Sequence, residues 1–213
     1  MTSPPNLRGL ADSLGTACFT GGTDPPDTRP VDDADRPLPS PHSLRHRIGR
    51  ALWGVVPGSL FRWSPRPLFG WRRLLLTTFG ARLHPKARVY PRARVWAPWN
   101  LEMDAFATLA DDVDCYAVER TVIGRRATIS QYAYLCGATH DFEDPARPLV
   151  PKPITIGPRA WIAADVFVGP GVTVGEGTVV GARSSVFSDL PAWTVCVGSP
   201  AKPIRDLEPY TVE

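Results

Sequence analysis

Aliphatic residues recur every six positions through the second half of the chain. Ile123, Ile129 and Leu135 open the series, and Ile156, Ile162, Val168, Val174, Val180 and Val186 continue it. Four places beyond each stand Ala127, Ala133, Thr139, Ala160, Val166, Val172, Thr178, Ser184 and Leu190, eight of the nine being Ala, Ser, Thr or Val. Gly follows the aliphatic at Gly124, Gly157, Gly169, Gly175 and Gly181. A period of six predicts one short strand and one turn per repeat, with three repeats closing a coil of about 18 residues. The aliphatic fills the interior, the small residue fits the narrow remainder, and the glycines tolerate turn geometry. Stacked coils bury each other's faces, and β-branched residues suit stacked strands. A looser set, Leu83, Val89, Val95 and Leu101, precedes a register break over Ala105–Thr121. A second interruption runs from Thr139 to Thr155.

Residues 43–80 have a different period. Leu44, Ile48, Leu52 and Val55 lie at helical spacing, with Arg45, Arg47 and Arg50 mainly off that stripe, and Pro57-Gly58 ends the segment. A second short helix is expected from about Pro67 to Phe79, with Gly80 as its C′ residue. These helices read as a cap over the end of the β-domain, arginines toward solvent. Trp53, Trp63 and Trp71 beside arginines also suit a membrane-interface helix, and the two readings are compatible.

Composition sharpens the division. Of 213 residues, 24 are Pro and 18 Gly, which disfavours a bundle of long helices. Residues 1–42 hold eight Pro, six Asp and three Arg with few large apolar side chains, and are expected to be a disordered tail. The net charge of +3 resolves into −3 for residues 1–42, +12 for 43–101 and −6 for 102–213. No 18-residue apolar run is present, and the N-terminus has no secretory pattern. Cys18, Cys115, Cys136 and Cys196 form no C-x-x-C, so they read as reduced small hydrophobes. The organisation is therefore a tail (1–42), a basic amphipathic helical cap (43–80), a β-helix (81–205) carrying a loop at 141–153, and a C-terminal tail (206–213).

Of four histidines, His42 and His46 lie at the tail or its border, and His84 opens the repeats. His140 stands where the regular coil stops. The following DFEDPARPLVPKP contains four Pro, which forbid a β-ladder and imply an extended loop. From the residues alone, a catalytic imidazole and a surface imidazole satisfied by a carbonyl are equally open.

The hexapeptide block, Thr-His-Asp at 139–141, PITIG at 153–157, Trp161-Ile162 and VGSPAKPIR at 197–205 resemble the left-handed β-helix O-acetyltransferases. WSPRPLFGWRRLLL at 63–76, VYPRARVWAPWNLEM at 89–103, DCYAV at 114–118 and ISQYAYLCGATHDFEDP at 129–145 resemble the colanic acid (exopolysaccharide) biosynthesis acetyltransferases more closely. The likeness covers roughly residues 43–205. It implies an all-β, left-handed parallel β-helix with a short helical N-terminal cap; the handedness comes from the resemblance, since ordinary parallel connections are right-handed.

The resemblance also implies a chemistry: acetyl transfer from acetyl-CoA to a sugar or lipid-linked oligosaccharide hydroxyl, directly and without an acyl-enzyme. His140 would be the general base, because neutral imidazole can take a hydroxyl proton near pH 7. Asp114 and Tyr116, in the break before the strong repeats, would meet the acceptor. Asp114 or Asp141 would orient the imidazole. Trp161, Ala164, Gly181 and Ala182 would line the CoA groove, and Lys202 and Arg205 would meet its phosphates. Ser188 stands where many relatives carry Lys, which bears on CoA affinity. Cys136 falls at a turn position and is a poor nucleophile candidate. A homotrimer, a cytoplasmic location with the inner membrane face as a further station, no metal and no nucleic acid complete the expectation. A xenobiotic acetyltransferase and a non-catalytic hexapeptide scaffold are the alternatives.

Overall fold

The computed structural model describes residues 44–56 and 60–210. The expected tail at 1–42 and the expected stop at Pro57-Gly58 lie outside these residues. From Arg82 the chain winds through coils of three strands. First strands of successive coils stack as β1 (Arg82–Leu83), β4 (Leu101–Met103), β7 (Thr121–Ile123), β12 (Ile154–Ile156) and β15 (Thr173–Val174). Second strands stack as β2 (Arg88–Val89), β5 (Thr108–Leu109), β8 (Thr128–Ile129), β13 (Trp161–Ile162), β16 (Val179–Val180) and β18 (Thr194–Gly198). Third strands stack as β3 (Arg94–Val95), β6 (Asp114–Tyr116), β9 (Tyr134–Cys136), β14 (Phe167–Val168) and β17 (Ser185–Val186). All these pairings are parallel. β19 (Ala201–Asp206) folds back antiparallel on β18 and covers that end of the second sheet.

The interior is the predicted column. All nine aliphatics of the hexad series are buried, and so are eight of the nine residues four places on. Thr139 is the exception; it is exposed, and Ala138 turns inward instead.

The expected register break at Ala105–Thr121 is a shift in the six-residue count, not a break in the stack. Met103, Leu109 and Cys115 continue the buried column through β4, β5 and β6. What changes is the coil length. Arg82 pairs with Glu102 and Glu102 with Val122, 20 residues per coil, whereas Thr155 pairs with Thr173, 18 per coil. Two extra residues sit in the corner from third to first sheet, as at Ala117–Arg120, and displace a strict six-residue count without disturbing the stack. Asp114 and Tyr116 accordingly lie in a regular strand, on its outer face.

The role of the hexad glycines also differs from expectation. None of Gly124, Gly157, Gly169, Gly175 and Gly181 is left-handed. That conformation falls to Phe106, Arg126, Arg159 and Gly177 in one corner column and to Asp112, Tyr132, Asp165 and Arg183 in another. The hexad glycines instead lie against the next coil: a Cβ on Gly157 would stand 2.7 Å from Glu176 N.

The cap is built the opposite way round from its sequence stripe. α1 (Leu44–Val56) exposes Ile48, Leu52 and Val55 and buries Trp53. α2 (Phe69–Thr78), ending at left-handed Gly80 as expected, buries Arg72, Leu75 and Leu76. The first coil is a sheet edge whose open carbonyls need donors. Arg72 Nε donates to Val89 O at 2.6 Å, Trp53 Nε1 to Val95 O at 2.7 Å, and Arg50 Nη1 to Trp96 O at 2.9 Å. Arg73 Nη1 adds a bond to Ala87 O at 2.8 Å. The expectation of solvent-facing arginines fails at these positions because a sheet edge attracts donors more than it attracts aliphatics.

Candidate active site

The corner between third and first sheets opens after β9 into a hairpin, β10 (Ala138–His140) against β11 (Leu149–Pro151). The expected ladder-free loop is corrected here. Thr139 pairs with Val150 and His140 with Leu149, while Pro151 sits at the end of the ladder opposite Ala138. An edge position tolerates a missing N–H, which is why the prolines did not prevent pairing. Lys152 N donates to Gly137 O at 3.0 Å and fixes the hairpin base to the coil.

His140 is exposed on this hairpin, and its Nδ1 lies 2.6 Å from Arg147 O. A carbonyl oxygen only accepts, so Nδ1 must carry the proton in that contact. Nε2 of the neutral ring is then the site with a lone pair, directed away from the anchoring bond. The residue that orients the imidazole is thus a backbone carbonyl of the loop, which no side-chain motif could have indicated.

The two aspartates expected to orient the ring have other partners. Asp114 accepts from Arg94 Nη2 at 2.7 Å across neighbouring coils. Asp141 Oδ1 accepts from Glu143 N at 3.0 Å and shapes the loop. Cys136 occupies the outer face of β9, not a turn, and its thiol donates to Ala138 O at 3.2 Å. Cys115 is sealed in the core, where burial first, and the Asp114 charge second, push its thiol up to about 12.

Tyr116 belongs to an aromatic ladder along the outer face of the third sheet. Trp96, Tyr116, Tyr134, Phe167 and Phe187 follow one another with ring centroids 5.4, 6.3, 5.7 and 5.6 Å apart. Arg50 stacks on Trp96, 3.6 Å from its centroid, at the cap end. Only Tyr116 of these rings was singled out from sequence; the signal was an aromatic at the outward position beside successive third-strand aliphatics.

The residues assigned to CoA fall on a different face. Trp161 projects half-exposed from β13, its indole donating to Ser130 Oγ at 2.9 Å. Ala164, Gly181 and Ala182 lie in the corner between second and third sheets, and Lys202 and Arg205 lie on β19, opposite Val197 and Val195. The fold gathers these six along the second sheet and its corner. His140 springs from the corner beyond the third sheet. A cleft of about 360 Å³ between Arg125, Arg126, Arg159, Asp104 and Glu176 contains none of them. Ser188 is exposed beside Asp189, whose Oδ1 accepts from Thr173 N at 2.7 Å. No cluster of metal-ligating side chains occurs among the described residues.

Comparison with known proteins agrees with this architecture. The colanic acid biosynthesis acetyltransferase WcaF of Escherichia coli is 45% identical over 155 residues, spanning 73% of this chain and 85% of WcaF. The chain belongs to the hexapeptide-repeat acetyltransferase family. The family model described as "Bacterial transferase hexapeptide (six repeats)" matches residues 153–188, the most regular coils. An acetyltransferase from Schizosaccharomyces pombe is 45% identical over 89 residues, covering 40% of this chain and 43% of its own. Among solved structures, the hexapeptide-repeat acetyltransferase of Vibrio cholerae superposes with a TM-score of 0.71 at 25% identity, covering 78% of this chain and 95% of that one. The galactoside acetyltransferase solved with coenzyme A gives 0.64 at 21% identity, over 79% and 86% of the two chains. The left-handed β-helix fold and the acyltransferase class expected from the sequence both stand.

Proposed function

We propose that this acyltransferase moves an acetyl group from acetyl-CoA to a sugar hydroxyl during exopolysaccharide synthesis, with His140 Nε2 as the base. The observation that carries the chemistry is the Nδ1–H···O=C bond to Arg147. It selects the tautomer whose Nε2 can take a proton, and it fixes the ring without a carboxylate. The acceptor oxygen attacks the thioester carbonyl as its proton passes to Nε2. The tetrahedral oxyanion then collapses, the C–S bond breaks, and the proton on Nε2 goes to the departing CoA thiolate. A direct transfer fits the cysteines: Cys115 is buried with its thiol raised, and Cys196 is buried.

Trp161, Ala164, Gly181, Ala182, Lys202 and Arg205 would hold acetyl-CoA, the two cations meeting its phosphates. Asp114 and Tyr116 would meet the sugar, the ring offering a stacking face within the ladder. Because the CoA set and His140 occupy different faces of one chain, the reading requires copies side by side, one presenting His140 to the CoA face of another. A three-fold assembly supplies that arrangement at every interface. The 45% identity to WcaF supports a polysaccharide acceptor.

The test is steady-state thiol release from acetyl-CoA with a panel of glycan acceptors. His140→Ala should lower kcat about 10²–10⁴-fold, the range of general-base catalysis, with the KM for acetyl-CoA little changed. Turnover within a few-fold of wild type would overturn the role of His140. Absence of acetyl-CoA binding by calorimetry would overturn the enzyme assignment in favour of a scaffold.

A further inference from the structure

We infer that the helical cap is a docking surface for anionic lipid bilayers. Three observations converge on it. First, the cap turns its apolar side chains outward: Ile48 is 53% exposed, Leu52 61%, Leu74 53% and Trp63 79%. On α1 these fall at i, i+4 and i+7 with Val55; on α2, Trp71 and Leu74 are one turn apart. A soluble helix ordinarily hides such a stripe. Second, the outward direction is fixed by the hydrogen bonds that hold the cap. Trp53 and Arg50 bind the carbonyls of Val95 and Trp96, and Arg72 and Arg73 bind those of Val89 and Ala87. Both helices therefore turn one side to the same first coil, and their opposite sides look away from the solenoid. Third, the charge around the stripe has one sign. The cap, residues 43–80, contains seven Arg and no acidic residue; Arg66 pairs with Asp111 of the solenoid at 2.8 Å, while Arg47 and Arg62 are exposed on the cap itself.

Exposed aliphatics with tryptophan and arginine, and no carboxylate on the same elements, match the boundary between acyl chains and anionic headgroups. Pairing cap to cap with a second copy would bring like charges together, because the cap holds no carboxylate. Neither helix crosses the bilayer: no described helix is long and apolar enough to do so. The cap would rest in the interface, leaving the solenoid upright in water. Placing acetyl transfer at a bilayer would favour an acceptor carried on a lipid; that consequence depends on the proposed function, whereas the docking itself does not.

The experiment is flotation of the full chain with vesicles of phosphatidylcholine alone or with 30% phosphatidylglycerol, beside the triple variant Ile48→Glu, Leu52→Glu, Leu74→Glu. These side chains are exposed, so circular dichroism should show an unchanged β-helix. Wild type should float with the anionic vesicles, lose most of that binding in 0.5 M salt, and bind the neutral vesicles at least tenfold less. The triple variant should lose binding at least tenfold while keeping acetyl-CoA turnover on a soluble acceptor. Wild type remaining at the bottom with anionic vesicles, or equal flotation of the triple variant, would overturn the inference. Equal binding to both vesicle types would overturn the charge argument. A fall in oligomeric state of the triple variant by light scattering, without loss of flotation, would assign the stripe to self-association instead.

Discussion

Gly157→Ala tests why glycine recurs after the hexad aliphatics. Gly157 has no positive φ, so conformational freedom is not the reason for it. An added Cβ would lie 2.7 Å from Glu176 N and 2.8 Å from both Gly175 C and Val174 O, all backbone of the next coil. Ordinary contact begins at 3.4 Å, so the coils would have to separate locally by about 0.7 Å. The same coils are held there by Gly157 N to Val174 O and Gly177 N to Pro158 O, each 2.8 Å. Stretching both toward ~3.5 Å forfeits roughly 1 kcal/mol apiece. Overpacking strain adds about 1–3 kcal/mol. The stiffer unfolded chain returns about 0.4–1 kcal/mol. The net expectation is a loss of about 2–4 kcal/mol.

The assay is urea denaturation followed by far-ultraviolet circular dichroism. With an m value near ~2–3 kcal/mol/M the midpoint should fall by about 1 M. Two controls separate close approach from backbone freedom. Gly54→Ala in α1, whose Cβ meets nothing within 4 Å, should be neutral or gain up to about 1 kcal/mol. Asp165→Gly, at φ +59, should relieve left-handed strain of about 1–2 kcal/mol against a glycine entropy of about 0.5–1 kcal/mol, and remain within ~1 kcal/mol of wild type. A midpoint for Gly157→Ala equal to wild type would refute the close-approach reasoning.

Arg72→Met should destabilise the cap by about 2–5 kcal/mol, since it orphans Val89 O and Arg66 O, while Pro65 O keeps its bond from Leu68 N. Hydrogen exchange should accelerate at the cap and first coil before the fifth coil, and uniform acceleration would contradict this. Cys136→Ala should leave turnover within about twofold, because the thiol's partner is Ala138 O and the proposed transfer forms no acyl-enzyme. A loss of tenfold or more, or acetyl recovered on Cys136, would contradict direct transfer.

The coils after Ile123 were legible because the sequence period and the structural period coincide there. Each aliphatic has a fixed place in an 18-residue coil, and nothing intervenes from Ile154 to Val186. The earlier coils were obscured by a single physical detail, two extra residues in one corner. A count in sixes then loses phase at Met103, although the interior column of Met103, Leu109 and Cys115 is intact. A count by coils of 20 recovers it. The position of His140 was legible as a break in period, but its tautomer was not. Arg147 O is a main-chain atom brought back by a hairpin whose pairing the four prolines argue against.

The cap shows why amphipathic spacing locates a helix but not always its inward face. The usual inference assumes that the surface awaiting the helix is apolar. At the first coil it is a row of carbonyl oxygens left over when a parallel stack ends, because β2 and β3 have partners on one side only. Such an edge is satisfied by indole and guanidinium donors, so Trp53, Arg50 and Arg72 turn inward. Arg72 is fully buried, and desolvation draws its guanidinium below the usual range, partly offset by the charge of Asp111. With the donors committed to the edge, Ile48 and Leu52 have no apolar floor to reach and remain in water. The exposed stripe is therefore a consequence of how the solenoid is closed, and any surface that receives it must be apolar and tolerate positive charge.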